Sequence, residues 1–115
     1  MQSLDILKTA VKALDDKKAR DIKVIKIDDL SILADYFVIA TGTSSTQVRA
    51  LTDEVEHQLK LSGMMPHHIE GKASGWILMD FTGVVIHVFY EKERDFYQLE
   101  KLWNDGIKID IETLI

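Results

Sequence analysis

Cysteine is absent from this 115-residue chain, and proline occurs once. Without cysteine there is no disulfide, no thiol nucleophile and no cysteine-ligated zinc or iron–sulfur site. One proline and six glycines exclude collagen-like and low-complexity chains. No apolar run approaches the roughly 20 residues that a membrane helix needs. The opening stretch, residues 1–18, is interrupted by charge and lacks both the apolar core and the small-residue cleavage site of a secretory signal. The expectation is a folded cytoplasmic protein with no membrane association.

What is present is ordinary globular composition, 46% apolar and 29% charged. The length suits one domain over residues 1–115, able to bury about 65% of the surface its unfolded form exposes. Nineteen acidic side chains outnumber fourteen basic ones, for a net charge of −5. Most of the excess follows Pro66, where nine acids meet five bases. An acidic surface disfavours a phosphate backbone and suits a basic protein partner.

Leu4, Leu7, Val11 and Leu14 recur at helical spacing, so residues 3–18 are expected to form a surface helix capped by Ser3. Residues 22–27 read as a strand, 28–34 as a connector, and 36–41 (YFVIAT) as a central strand that meets Gly42. Ser44 with Gln47 matches a capping box that opens a second helix. Val48, Leu51, Val55 and Leu59 form its buried stripe, and Gly63 stops it. A short strand over 68–71 precedes the two strongest strand signals, 76–81 and 84–90, joined by the two-residue loop Thr82-Gly83. A last helix is expected over 91–103, with Phe96, Leu99, Leu102 and Trp103 on one side and the charge run 91–95 in solvent. This order implies an α/β (α+β) fold with a mixed sheet of about five strands, partly parallel and packed with helices.

Pairing the hairpin through its loop sets Phe81, Met79 and Ile77 opposite Val84, Ile86 and Val88, an all-apolar core face. The other face sets Trp76, Leu78 and Asp80 against Val85, His87 and Phe89. A helix-covered core would rarely carry an aspartate and a histidine. A solvated face would rarely carry a tryptophan, a leucine and a phenylalanine. The mixture fits a recognition surface, with aromatic anchors and a few polar groups to set register. It also fits a partly covered sheet in which Asp80 and His87 satisfy each other.

Other constellations have simpler explanations. Gly42–Ser45 lies at a strand-to-helix turn where amides favour an anion, but it lacks the P-loop lysine, and capping explains it. No GxSxG elbow surrounds any serine. His67 and His68 would point to opposite faces of a strand and not converge on a metal. His57 and His87 stand alone. No carboxylate pair on a strand offers two-metal or acid–base chemistry. Met64-Met65 reads either as an adaptable surface or as core filling.

Three blocks carry a resemblance. Residues 35–45 (DYFVIATGTSS) with Gln47-Val48 form the first. Glu70-Gly71, Gly75–Asp80 and Val84–Phe89 form the second. Glu91, Arg94, Tyr97, Leu99-Glu100 and Leu102-Trp103 form the third. Together they resemble the ribosomal silencing factor (Iojap-like) family over about residues 4–103, leaving 104–115 as a variable tail. The resemblance implies a nucleotidyltransferase-like fold without catalytic carboxylates, no enzymatic activity and no cofactor or metal. It implies binding to ribosomal protein fourteen of the large subunit, a basic protein at the subunit joining face. The outcome would be a block to small-subunit joining and lower translation under nutrient limitation. A homodimer is implied for the free protein. In that role Trp76, Leu78 and Phe89 would be apolar anchors. Asp80 and Glu70 would pair with partner lysine or arginine, with His87 beside them. Where the family often has Gly-Asp in the hairpin loop, this chain has Thr82-Gly83. Two other readings remain: a nucleotidyltransferase-like or phosphate-binding enzyme using Gly42–Ser45, and a purely structural dimer subunit.

Overall fold

Alternating apolar residues in the middle of the chain and helical stripes on either side of residues 20–42 build one sheet with helices on one face. The structure, a computed structural model, describes residues 2–28, 34–71, 75–90 and 104–115. The elements are α1 (Ser3–Asp16), β1 (Arg20–Lys26), β2 (Ala34–Gly42), α2 (Ser45–Leu61), β3 (His68–Glu70), β4 (Trp76–Phe81), β5 (Gly83–Tyr90) and β6 (Ile107–Ile109), then a 3-10 turn, Ile111–Thr113. The helix expected over 91–103 and most of the 28–34 connector lie outside the described residues.

The six strands run in the order β3-β4-β5-β2-β1-β6. Among the described residues only β2 and β5 pair in parallel; the other pairs are antiparallel. The fold is thus α+β with a mixed sheet, as expected, but with six strands instead of about five. The added strand comes from the tail. Ile107 and Ile109 alternate with Lys108, and Ile109 pairs with Val24 at the sheet edge.

α1 and α2 lie on the same face and bury a core of Leu7, Val11 and Leu14 against Val48, Leu51, Val55 and Leu59, with Val38, Ile77, Met79, Phe81 and Ile86 beneath. Each of these is at most 1% exposed, and full burial of such a side chain contributes about 1.5–3 kcal/mol. Ile6, Ala10 and Ala13 complete the α1 stripe, whereas Leu4 is 43% exposed. Gln2, and not Ser3, is the α1 N-cap. The Ser3 hydroxyl instead donates to Asp35 Oδ2 at 2.7 Å, which ties the helix to the start of β2.

Hairpin register is as the sequence implied: Phe81, Met79 and Ile77 oppose Val84, Ile86 and Val88. Gly83 turns the chain at φ +78°, and a Cβ there would lie 2.1 Å from Ser3 Oγ, so any other residue is strained and must displace Ser3. At the head of α2, Ser44 Oγ accepts the Gln47 N–H at 3.1 Å. Gln47 Oε1 reaches back one residue further than a capping box requires, to the Thr43 N–H at 2.6 Å. Met64 packs against the core, while Met65 is 53% exposed.

Candidate protein-docking face

Because side chains alternate along a strand, the face of the sheet away from the two helices receives Trp76, Leu78 and Asp80 from β4 and Val85, His87 and Phe89 from β5. Antiparallel β3 adds Glu70 opposite Leu78 and His68 opposite Asp80. Parallel β2 adds Phe37 opposite Val85 and Ile39 opposite His87. All six residues expected to meet a partner are therefore brought to one side, but they are not equally accessible.

Trp76 is 43% exposed, Glu70 is exposed, and Leu78 and Asp80 are half-buried. Phe89 is fully buried and His87 is 3% exposed. The expectation that Phe89 is an outward anchor is corrected. It belongs to a second apolar cluster with Ile25, Ile27, Ala34 and Ile39, flanked by Phe37 and Val85. The same face thus divides: its β5–β2–β1 part is core, and its β3–β4 part is open. Phe89 supports the open part from below, its ring stacked on Trp76 at 5.1 Å between centroids and 26° between planes.

His87 lies beneath the surface with Phe89. Its Nδ1 accepts the Trp76 indole N–H at 3.1 Å. Its ring also lies 5.0 Å from the Phe37 ring. Burial pushes its pKa down from 6.5 to about 4, because desolvation penalises the imidazolium, so it is neutral at pH 7. No hydrogen bond joins His87 to Asp80, so the reading in which the two satisfy each other is also corrected. Asp80 stands two residues along β4 from His87's cross-strand partner, Leu78.

Beside Trp76 a surface groove of about 240 Å³ is lined by Glu70, Gly71, Trp76 and Leu78. One wall is an aromatic ring and another a carboxylate, the pairing that suits a cationic side chain. Glu70 Oε1 already touches His68 Nε2 at 2.7 Å, with both side chains more than half exposed. Such an exposed pair is worth little and yields readily to a partner's cation. His67 turns away to Thr82 Oγ1 at 2.8 Å, so the adjacent histidines diverge. Sequence reasoning missed Phe37 and His68. The alternation Phe37, Ile39, Thr41 held the signal for the first, but only the parallel β2–β5 register places it beside His87.

The Gly42–Ser45 turn offers little to an anion. The Thr43 and Gln47 amides are already taken by Gln47 Oε1 and Ser44 Oγ. Among the described residues no three His, Asp or Glu side chains gather to hold a metal ion. No described helix is long and apolar enough to cross a membrane.

Comparison with known proteins gives a consistent answer. The family model described as "Ribosomal silencing factor during starvation" matches residues 1–115. The ribosomal silencing factor of Bacillus subtilis is 41% identical over 113 residues, covering 97% of this chain and 96% of its own. The ribosomal silencing factor of Halalkalibacterium halodurans is 37% identical over 116 residues, covering 100% and 99%. A crystal structure of a Chromobacterium violaceum protein superposes with a TM-score of 0.84 at 37% identity, covering 96% of this chain and 92% of that one.

Proposed function

Since the chain belongs to the ribosomal silencing factor family, a family of silencing factors and not of enzymes, we propose that it represses translation by docking on the large ribosomal subunit. The docking partner is ribosomal protein fourteen, and the contact is made by the open β3–β4 part of the sheet. Trp76 is the anchor, Leu78 extends the apolar contact, and Glu70 and Asp80 meet lysine or arginine of the partner. Bound there, the protein occupies the joining face and excludes the small subunit by bulk, which lowers translation when nutrients are scarce. No bond is made or broken, so no cofactor is needed. The free protein is cytoplasmic and pairs as a homodimer.

The observation that carries this reading is the Trp76 side chain, 43% exposed beside a groove with an acidic wall. Tryptophan is among the residue types that most often carry the binding energy of a protein interface. A net charge of −5, concentrated after Pro66, steers encounter with a basic surface. A docking area of about 800 Å² per partner is within reach of the hairpin face and its rim.

The test is a joining assay. Large subunits are incubated with the protein, small subunits are added, and the mixture is resolved on a sucrose gradient. The proposal requires fewer whole ribosomes as the protein is titrated. Undiminished joining at saturating protein would overturn it.

A further inference from the structure

A buried histidine in a sheet of valine, isoleucine and phenylalanine asks for an explanation. Leucine or phenylalanine at position 87 would carry no polar ring atom to bury. Instead the His87 Nε2 is buried with no hydrogen-bond partner among the described residues, a loss of hydration that works against folding. What histidine supplies in return is the acceptor at Nδ1. The indole N–H is a donor only, so its 3.1 Å contact requires a bare Nδ1 and places the imidazole proton on Nε2.

Three rings then form one block. Trp76 stacks on Phe89 at 5.1 Å, and His87 lies 5.9 Å from Trp76 and 6.3 Å from Phe89. Trp76 sits at the first residue of β4, where a half-exposed ring would otherwise sample several rotamers. Stacking on Phe89 does not by itself set which edge of the indole turns inward. The hydrogen bond to Nδ1 removes that freedom and turns the N–H inward.

We propose that His87 is a positioning residue of the docking face: as a neutral imidazole protonated at Nε2, it holds the Trp76 indole stacked on Phe89 with its N–H turned inward, so that a partner meets a pre-set indole. This rests on the docking reading above. A ring ordered before encounter spares binding the entropic cost of ordering it. It also fixes the partner's chemistry at that point. With the N–H engaged, the exposed indole offers its π face to an apolar or cationic group and no donor to a carbonyl.

The arrangement needs His87 to stay neutral, because an imidazolium has no acceptor left and would oppose one N–H to another. The surroundings favour this. Among the described residues the charged or titratable groups on this face are Asp80 from β4, Glu70 and His68 from β3, Lys23 from β1 and Lys108 from β6, and none of these is hydrogen-bonded to the imidazole. β2 presents Phe37, Ile39 and Thr41. The helices α1 and α2 lie behind the sheet.

The test is heteronuclear NMR of 15N-labelled full-length protein, with pelleting on large subunits as a second readout. The Trp76 indole signal is assigned by its loss in Trp76→Phe. Long-range 15N–1H correlations should show the His87 Nε2–H tautomer unchanged from pH 8 to pH 5. In His87→Leu the Trp76 indole proton should exchange with solvent at least tenfold faster and subunit binding should weaken by about tenfold. His87→Asn, which returns an acceptor close to the Nδ1 position, should recover most of both. An Nδ1–H tautomer or an imidazolium at pH 7 overturns the proposal. So does a folded His87→Leu with wild-type exchange and binding. Tautomer and exchange in the wild-type protein need no variant, so an unfolded His87→Leu leaves them decisive. The NMR results do not depend on the ribosome. If Trp76→Ala pelleted normally while the tautomer and exchange held, the docking reading would fail and the indole–imidazole pairing would stand.

Discussion

The fate of one buried imidazole gives the protein a stability that depends on pH, and its size follows from the structure. His87 is 3% exposed, and burial lowers its pKa from 6.5 to about 4. The unfolded chain takes up this proton as pH falls through 6.5, while the folded chain resists until about pH 4. Between the two the unfolded state holds more protons, so acid favours unfolding. At about 1.36 kcal/mol per pH unit, the full effect is about 3 kcal/mol, and about 2 kcal/mol of it is lost between pH 7 and pH 5. Urea unfolding at one protein concentration, for wild type and His87→Leu at pH 7, 6 and 5, isolates this contribution. The wild-type midpoint should fall relative to the variant's by roughly 1 M urea across that range. Midpoints that move in parallel from pH 7 to pH 5 would show that the imidazole is not held neutral by burial.

Three further outcomes are expected. Gly83→Ala places a Cβ 2.1 Å from Ser3 Oγ at φ +78°, and should cost about 1–3 kcal/mol in urea or thermal unfolding; an unchanged midpoint would contradict the tight hairpin–α1 contact. Ser44→Ala removes the hydroxyl that accepts the Gln47 N–H and should cost about 1 kcal/mol of stability without altering subunit binding. Glu70→Lys reverses the acidic wall of the groove and should weaken large-subunit binding mainly at low salt; equal affinity at low and high salt in variant and wild type would remove Glu70 from the interface.

The helical stripes, the Ser44 cap of α2, the hairpin register and the gathering of Trp76, Leu78, Asp80, His87 and Phe89 on one face were legible in the sequence. Each follows from local periodicity or turn chemistry. The burial of Phe89 was not, because alternation tells which face a side chain takes and not what covers that face. The Phe89 neighbours Ile25, Ile27 and Ile39 come from strands distant in sequence. The alternative in which Asp80 and His87 satisfy each other rested on their proximity on the hairpin, yet the indole N–H of Trp76 is the partner the imidazole takes. β6 was missed because Ile107, Lys108 and Ile109 alternate over too few residues to stand out. The pairing with β1 supplies what three residues cannot.

If the open, tryptophan-bearing part of this sheet docks on the large subunit, Trp76 carries much of that contact. Co-sedimentation of Trp76→Ala with purified large subunits tests it most directly, alongside circular dichroism to confirm the fold. The expected result is a folded variant that stays in the supernatant, a loss of at least about 2 kcal/mol of binding. A folded variant that pellets as fully as the wild type would contradict it.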